Sequence, residues 1–98
     1  MKAAVVVANE DVQYQEIEEP KVTKGAVKIK VRYSGICGSD IPRVLNHGVH
    51  FYPIVLGHEF SGDVVEVGEG VTKVKVGDRV SPLKLSFVLS HLPLYYLQ

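Results

Sequence analysis

Ninety-eight residues, 46% of them hydrophobic, amount to the length of one compact domain. Eleven basic side chains are balanced by eleven acidic ones, so there is no cationic excess to hold a nucleic-acid backbone. The opening stretch, Met1 to Glu10, has too short an apolar run and the wrong flanks for a signal peptide, and no segment offers the roughly twenty apolar residues of a membrane span; the expected location is cytoplasmic, with no membrane partner. Cys37 is the single cysteine, which excludes an internal disulfide and fits a reducing compartment where the thiol is free for metal.

Strand signals dominate along the chain. Residues 3–8 form a short β-branched apolar run, and residues 12–17, after Asn9-Glu10-Asp11, read as its hairpin partner. Val27, Ile29, Val31 and Tyr33 alternate with Lys28, Lys30 and Arg32, which predicts a strand with its apolar set on one face and its cations in solvent. Ser39 or Asp40 is the expected N-cap of a short helix with Pro42 in its first turn, continuing through Arg43, Val44 and Leu45. Residues 60–67 and 79–82 predict two later strands, separated by the turns Gly68-Glu69-Gly70 and Gly77-Asp78. The outline is mainly β, an antiparallel barrel with one or two short helices.

The chemistry concentrates in two segments, Cys37-Gly38-Ser39-Asp40 and Gly57-His58-Glu59-Phe60-Ser61-Gly62. A thiol, an imidazole and a carboxylate are the donors zinc selects, and a catalytic zinc uses three protein ligands with a fourth position open. Cys37 and His58 are two such ligands, and Glu59 is a further ligand or a group beside the metal, since neighbouring side chains on an extended segment point to opposite faces. Gly62 and Gly68 need no chemistry, because glycine within strands marks bulges or close backbone approach. His47, His50 and His91 share no ligand spacing with the motif and read as surface or packing residues.

From Gly57 the chain reads G-H-E-x-x-G-x-x-x-x-x-G-x-x-V, ending at Val71, which resembles at every defined position the zinc signature of the zinc-dependent medium-chain alcohol dehydrogenases. The segments at Gly35-Ile36-Cys37-Gly38-Ser39-Asp40 and Gly77-Asp78-Arg79-Val80 are similar to that family too. Ser39 to Arg43 and His50 to Leu56 most resemble its galactitol-1-phosphate 5-dehydrogenase branch and related polyol dehydrogenases. The resemblance implies an incomplete GroES-like β-barrel and a zinc that eases loss of a secondary alcohol's proton, with hydride leaving to NAD or NADP. It implies Cys37 and His58 as metal ligands, Glu59 as a further ligand or catalytic neighbour, Ser39 as proton relay and Asp40 as the carboxylate orienting the imidazole. The substrate class would be a small-molecule alcohol, polyol or polyol phosphate, and the full-length parent a homo-oligomer.

Residues 1–82 carry the resemblance, as a catalytic-domain fragment. Residues 83–98 carry Lys84 as their one charge and no glycine, and read as an atypical apolar tail of truncated or frameshifted origin. No G-x-G-x-x-G follows any strand signal, so a Rossmann domain is absent and no cofactor-binding residue is assigned; the chain alone is expected to be inactive. Two further classes compete, a non-enzymatic GroES-like zinc-binding or interaction module and an inactive remnant.

Overall fold

The computed structural model describes residues 1–81 and, as backbone, residues 94–97. Its elements run β1 (Lys2–Ala8), β2 (Asp11–Glu16), β3 (Val27–Gly35), α1 (Asp40–Leu45), β4 (Glu59–Val67), β5 (Arg79–Val80) and β6 (Leu94–Leu97). Every strand expected up to residue 80 is present within a residue or two of its expected bounds, and α1 begins where the N-cap signal placed it. Apart from the backbone of β6, the apolar tail lies outside the described residues.

The strands form two sheets rather than a closed barrel, β1-β2 and β5-β4-β3-β6. β1 and β2 make the expected antiparallel hairpin, with Lys2 opposite Glu16 and Ala8 opposite Asp11. Ala3, Val5 and Val6 are its buried residues, and an isolated bridge from Val6 to Ile54 ties it to the loop ahead of β4. In the larger sheet β4 runs antiparallel to β3 and β5, whereas β6 lies parallel to β3. The core is the cluster of Val27, Ile29, Phe60 and Val64, with Val31, Val67, Val71, Val74 and Val80 packed against it.

The alternation expected of β3 holds for only half its length. Two register shifts, between Lys28 and Ile29 and between Val31 and Tyr33, are β-bulges. The second leaves Arg32 without an opposite residue, and a bulge of this kind re-aims the side chains beyond it. Tyr33, expected on the core face, is accordingly 78% exposed. Lys28, expected in solvent, is buried, its ammonium held 2.6 Å from Glu19 and 3.8 Å from Glu66. A buried lysine survives because its charge is paired.

The motif glycines Gly62 and Gly68 have a backbone reason, as the sequence suggested. A Cβ on Gly62 would collide with the carbonyl of Lys30 and the Ile29 side chain across the sheet, and one on Gly68 would collide with the carbonyl of Thr23. Neither neighbour is a flexible side-chain end, so both positions need the smallest residue.

Candidate metal centre

The register of β3 and β4 assembles the centre. Gly35, the last residue of β3, lies opposite Glu59, the first of β4. Chain leaving β3 therefore emerges beside chain entering β4, so Cys37, two residues past one strand, meets His58, one residue before the other. They stand 21 positions apart in the sequence, and one strand pair brings them together.

Cys37, His58 and Glu59 each offer a ligand atom, and these atoms all lie within 4.8 Å of one another. Cys37 and His58 are half-buried and Glu59 is exposed. The expectation that His58 and Glu59 would face opposite ways rested on their sharing an extended strand. His58 precedes β4, so the two-residue period does not govern the pair.

Asp40 is the structural hinge of the site. It is 7% exposed, its Oδ2 accepts the Cys37 backbone N–H at 3.0 Å, and its own N–H donates to the Cys37 carbonyl at 2.9 Å. Its Oδ1 faces His58 Nδ1 at 3.7 Å, longer than a hydrogen bond but on the imidazole's near side. Asp40 Oδ1 and His58 Nε2 are buried without a hydrogen-bond partner. Native interiors seldom leave such atoms unsatisfied, and an unpartnered buried imidazole nitrogen beside a thiol and a carboxylate is what a metal would satisfy. Sulfur, nitrogen and oxygen donors at this separation suit zinc.

Ser39 precedes α1 with φ −73° and ψ −19°, already helical, and makes no capping hydrogen bond. The cap expected of its side chain is thus not formed, which leaves the hydroxyl uncommitted. The serine is half-buried at the same end of α1 as Cys37 and Asp40. His47 and His50 are exposed and stand outside the cluster, as expected, and His91 lies outside the described residues. Sequence reasoning missed the hydrogen bond from Cys37 to Asp40; the Cys-x-x-Asp spacing was its only signal.

The sequence profile of the alcohol dehydrogenase GroES-like domain matches residues 23–89. Over 92 residues the chain is 48% identical to the (R,R)-butanediol dehydrogenase of Bacillus subtilis, covering 82% of this chain and 27% of that protein. Over 59 residues it is 51% identical to the galactitol 1-phosphate 5-dehydrogenase of Escherichia coli K12, covering 60% of this chain and 17% of the relative. The crystal structure of galactitol-1-phosphate dehydrogenase from Escherichia coli superposes with a TM-score of 0.77 at 43% identity, covering 83% of this chain and 24% of that one. The chain thus spans about a quarter or less of the length of the relatives it matches.

Proposed function

The chain belongs to the alcohol dehydrogenase GroES-like domain family, and on that premise we propose that it is part of a zinc-dependent oxidoreductase acting on a secondary alcohol of the polyol class. The relatives are alcohol and polyol dehydrogenases by name. The observation that carries the reading is the convergence of Cys37, His58 and Glu59 within 4.8 Å beside the unpartnered His58 Nε2.

Cys37 and His58 would hold the ion, with Glu59 as the exposed third donor. Bound there, zinc supplies Lewis-acid polarisation that lowers the pKa of a coordinated hydroxyl. Asp40 fixes the loop that bears Cys37 through the hydrogen bond to its N–H, and its other oxygen orients the His58 ring so that Nδ1 faces the carboxylate and Nε2 keeps a free lone pair. Ser39, with its hydroxyl uncommitted by capping, accepts the alcohol proton and passes it outward. For the whole protein the reaction would be oxidation of the alcohol to a ketone, with hydride transferred to NAD or NADP; no residue of this chain is assigned to holding the nicotinamide.

Zinc analysis of the purified chain after dialysis tests the site. Weak binding, at most one zinc per chain, is expected, because three donors with one exposed fall short of a closed site. Cys37→Ala and His58→Ala should each abolish it. Stoichiometric zinc retained by both variants would sink the assignment.

A further inference from the structure

We propose that the β1–β2 hairpin braces the metal centre, with Glu10 as a positioning residue that acts through its backbone N–H; this rests on the function proposed above. Between the end of β3 and the start of β4 the chain leaves the larger sheet to form α1 and the loop that leads to His58. α1 has six residues. An isolated helix is marginal in water below roughly 12–15 residues, so what holds the ends of α1 sets its place. At its N-terminal end Asp40 is hydrogen-bonded to Cys37 through both its N–H and its carboxylate. Near its other end the Val44 carbonyl, one of those that the last turn of a helix leaves without an internal partner, accepts the Glu10 N–H at 2.7 Å. Asp40 and Val44 stand about one helical turn apart, so holding Val44 also fixes where the Asp40 carboxylate sits.

The same hairpin holds the segment that leads to the second ligand. Val6 of β1 exchanges two backbone hydrogen bonds with Ile54, at 2.8 and 3.0 Å, four positions ahead of His58. Val6 is buried together with Ala3 and Val5, so this attachment starts from the packed part of the hairpin. The turn itself is shaped for its contact. Asn9 and Glu10 join the strands beyond the Ala8–Asp11 pair, and among the described non-glycine residues Glu10 alone has a positive φ, 64°. Residues with a side chain seldom take that conformation, and those that do are held there by the structure around them. The Glu10 side chain is exposed, whereas its N–H is bonded to α1. One element outside the zinc-binding motifs thus touches both segments that carry the proposed ligands. Ordering them in advance reduces what an ion must immobilise on binding, so a loosened brace should show in metal affinity.

The test uses the 98-residue chain, made by chemical synthesis with the Glu10 peptide N–H replaced by an ester oxygen, which deletes one donor and keeps the side chain. Glu10→Gly is its counterpart, because glycine keeps the donor and accepts a φ of 64° without strain. Zinc affinity is read by chelator competition, and site geometry by the thiolate charge-transfer absorption of cobalt(II) bound in zinc's place; urea unfolding establishes that each chain is folded when the metal is added. The ester chain should bind zinc about tenfold more weakly and show an altered cobalt band, whereas Glu10→Gly should match the wild type in both. A merely structural contact would lower the urea midpoint of the ester chain and leave its zinc affinity as it was. That result overturns the proposal, as does a Glu10→Gly chain that binds zinc as weakly as the ester. Hydrogen exchange on the zinc-free wild type is a check independent of any variant: the Glu10 and Ile54 amides should be protected, and exchange at the rate of a free chain overturns the brace. A wild type that binds no zinc overturns the functional reading together with it.

Discussion

One carboxylate at Asp40 serves two segments that lie far apart in sequence. It accepts the Cys37 N–H with one oxygen and turns the other toward the His58 ring, 3.7 Å from Nδ1, so it stands between the two segments that carry the proposed ligands. Asp40→Ala should therefore act twice. Leaving the Cys37 N–H without its acceptor should cost about 1–3 kcal/mol of stability, read as a lower urea midpoint. Loss of the ring's orienting partner should weaken zinc binding by about 10- to 100-fold in a chelator competition. Asp40→Asn keeps an oxygen for the Cys37 N–H but not the charge, so it should spare most of the stability and lose part of the metal affinity. Equal zinc affinity in all three proteins would show that Asp40 is only a loop fastener. The clustering of Cys37, His58 and Glu59 was legible in the sequence because zinc narrows its donors to a few residue types, which singled these three out. The position of Asp40 between Cys37 and His58 was suggested only by the family resemblance, since nothing in the spacing says which oxygen goes where.

Between strands, the sequence shows that an element exists more readily than it shows where its ladder slips. The valine-rich runs located β1, β3 and β4, because β-branched residues suit a half-buried pleated surface. The register shifts between β3 and β4 were invisible, since local alternation does not encode where a ladder slips, and the same holds for the carboxylates that cover Lys28 and for the exposure of Tyr33. The inward lysine makes a pH prediction possible. Its hydrogen bond and charge lower the pKa of Glu19 below its ordinary value of 4.5. Lys2, with help from the terminal ammonium, does the same for Glu16, and the Lys75 backbone N–H does so for Asp78. A carboxylate whose folded pKa is depressed contributes stability that is fully present above its unfolded value and is lost as pH falls through the folded one. Thermal stability should thus hold at neutral pH and decline on acidification from about pH 4.5 downward. Glu19→Gln should lower stability at pH 7 while making that acid decline shallower. An unchanged slope for the variant between pH 5 and 2 would mean that the Lys28–Glu19 pair contributes nothing to folding.

At the level of the whole molecule, local hydrophobic patterning foretold a mainly β fold, whereas the partition into two sheets depends on contacts between distant segments that periodicity does not encode. The site also looks unfinished from outside. Ile36 is 82% exposed, Phe51 64%, Ile41 53% and Leu45 49%, all on α1 or the loops that flank it. Scattered single apolar residues on a surface are ordinary, but four on one short helix and its flanking loops suit a surface that other polypeptide covers. Hydride transfer needs its acceptor held rigidly against the reacting carbon, and the protein's part in such chemistry is to bind and aim the cofactor. The sequence contains no G-x-G-x-x-G to receive a pyrophosphate at a helix N-terminus, and α1, with six residues, offers no substitute. The 98-residue chain should therefore hold zinc and bind a polyol weakly, yet produce no NADH from any polyol and show no saturable NAD binding by calorimetry. Tight NAD binding by the wild-type chain would overturn this division of labour, because it would place a nicotinamide site within residues that, on the present reading, build only the metal and alcohol side of the reaction.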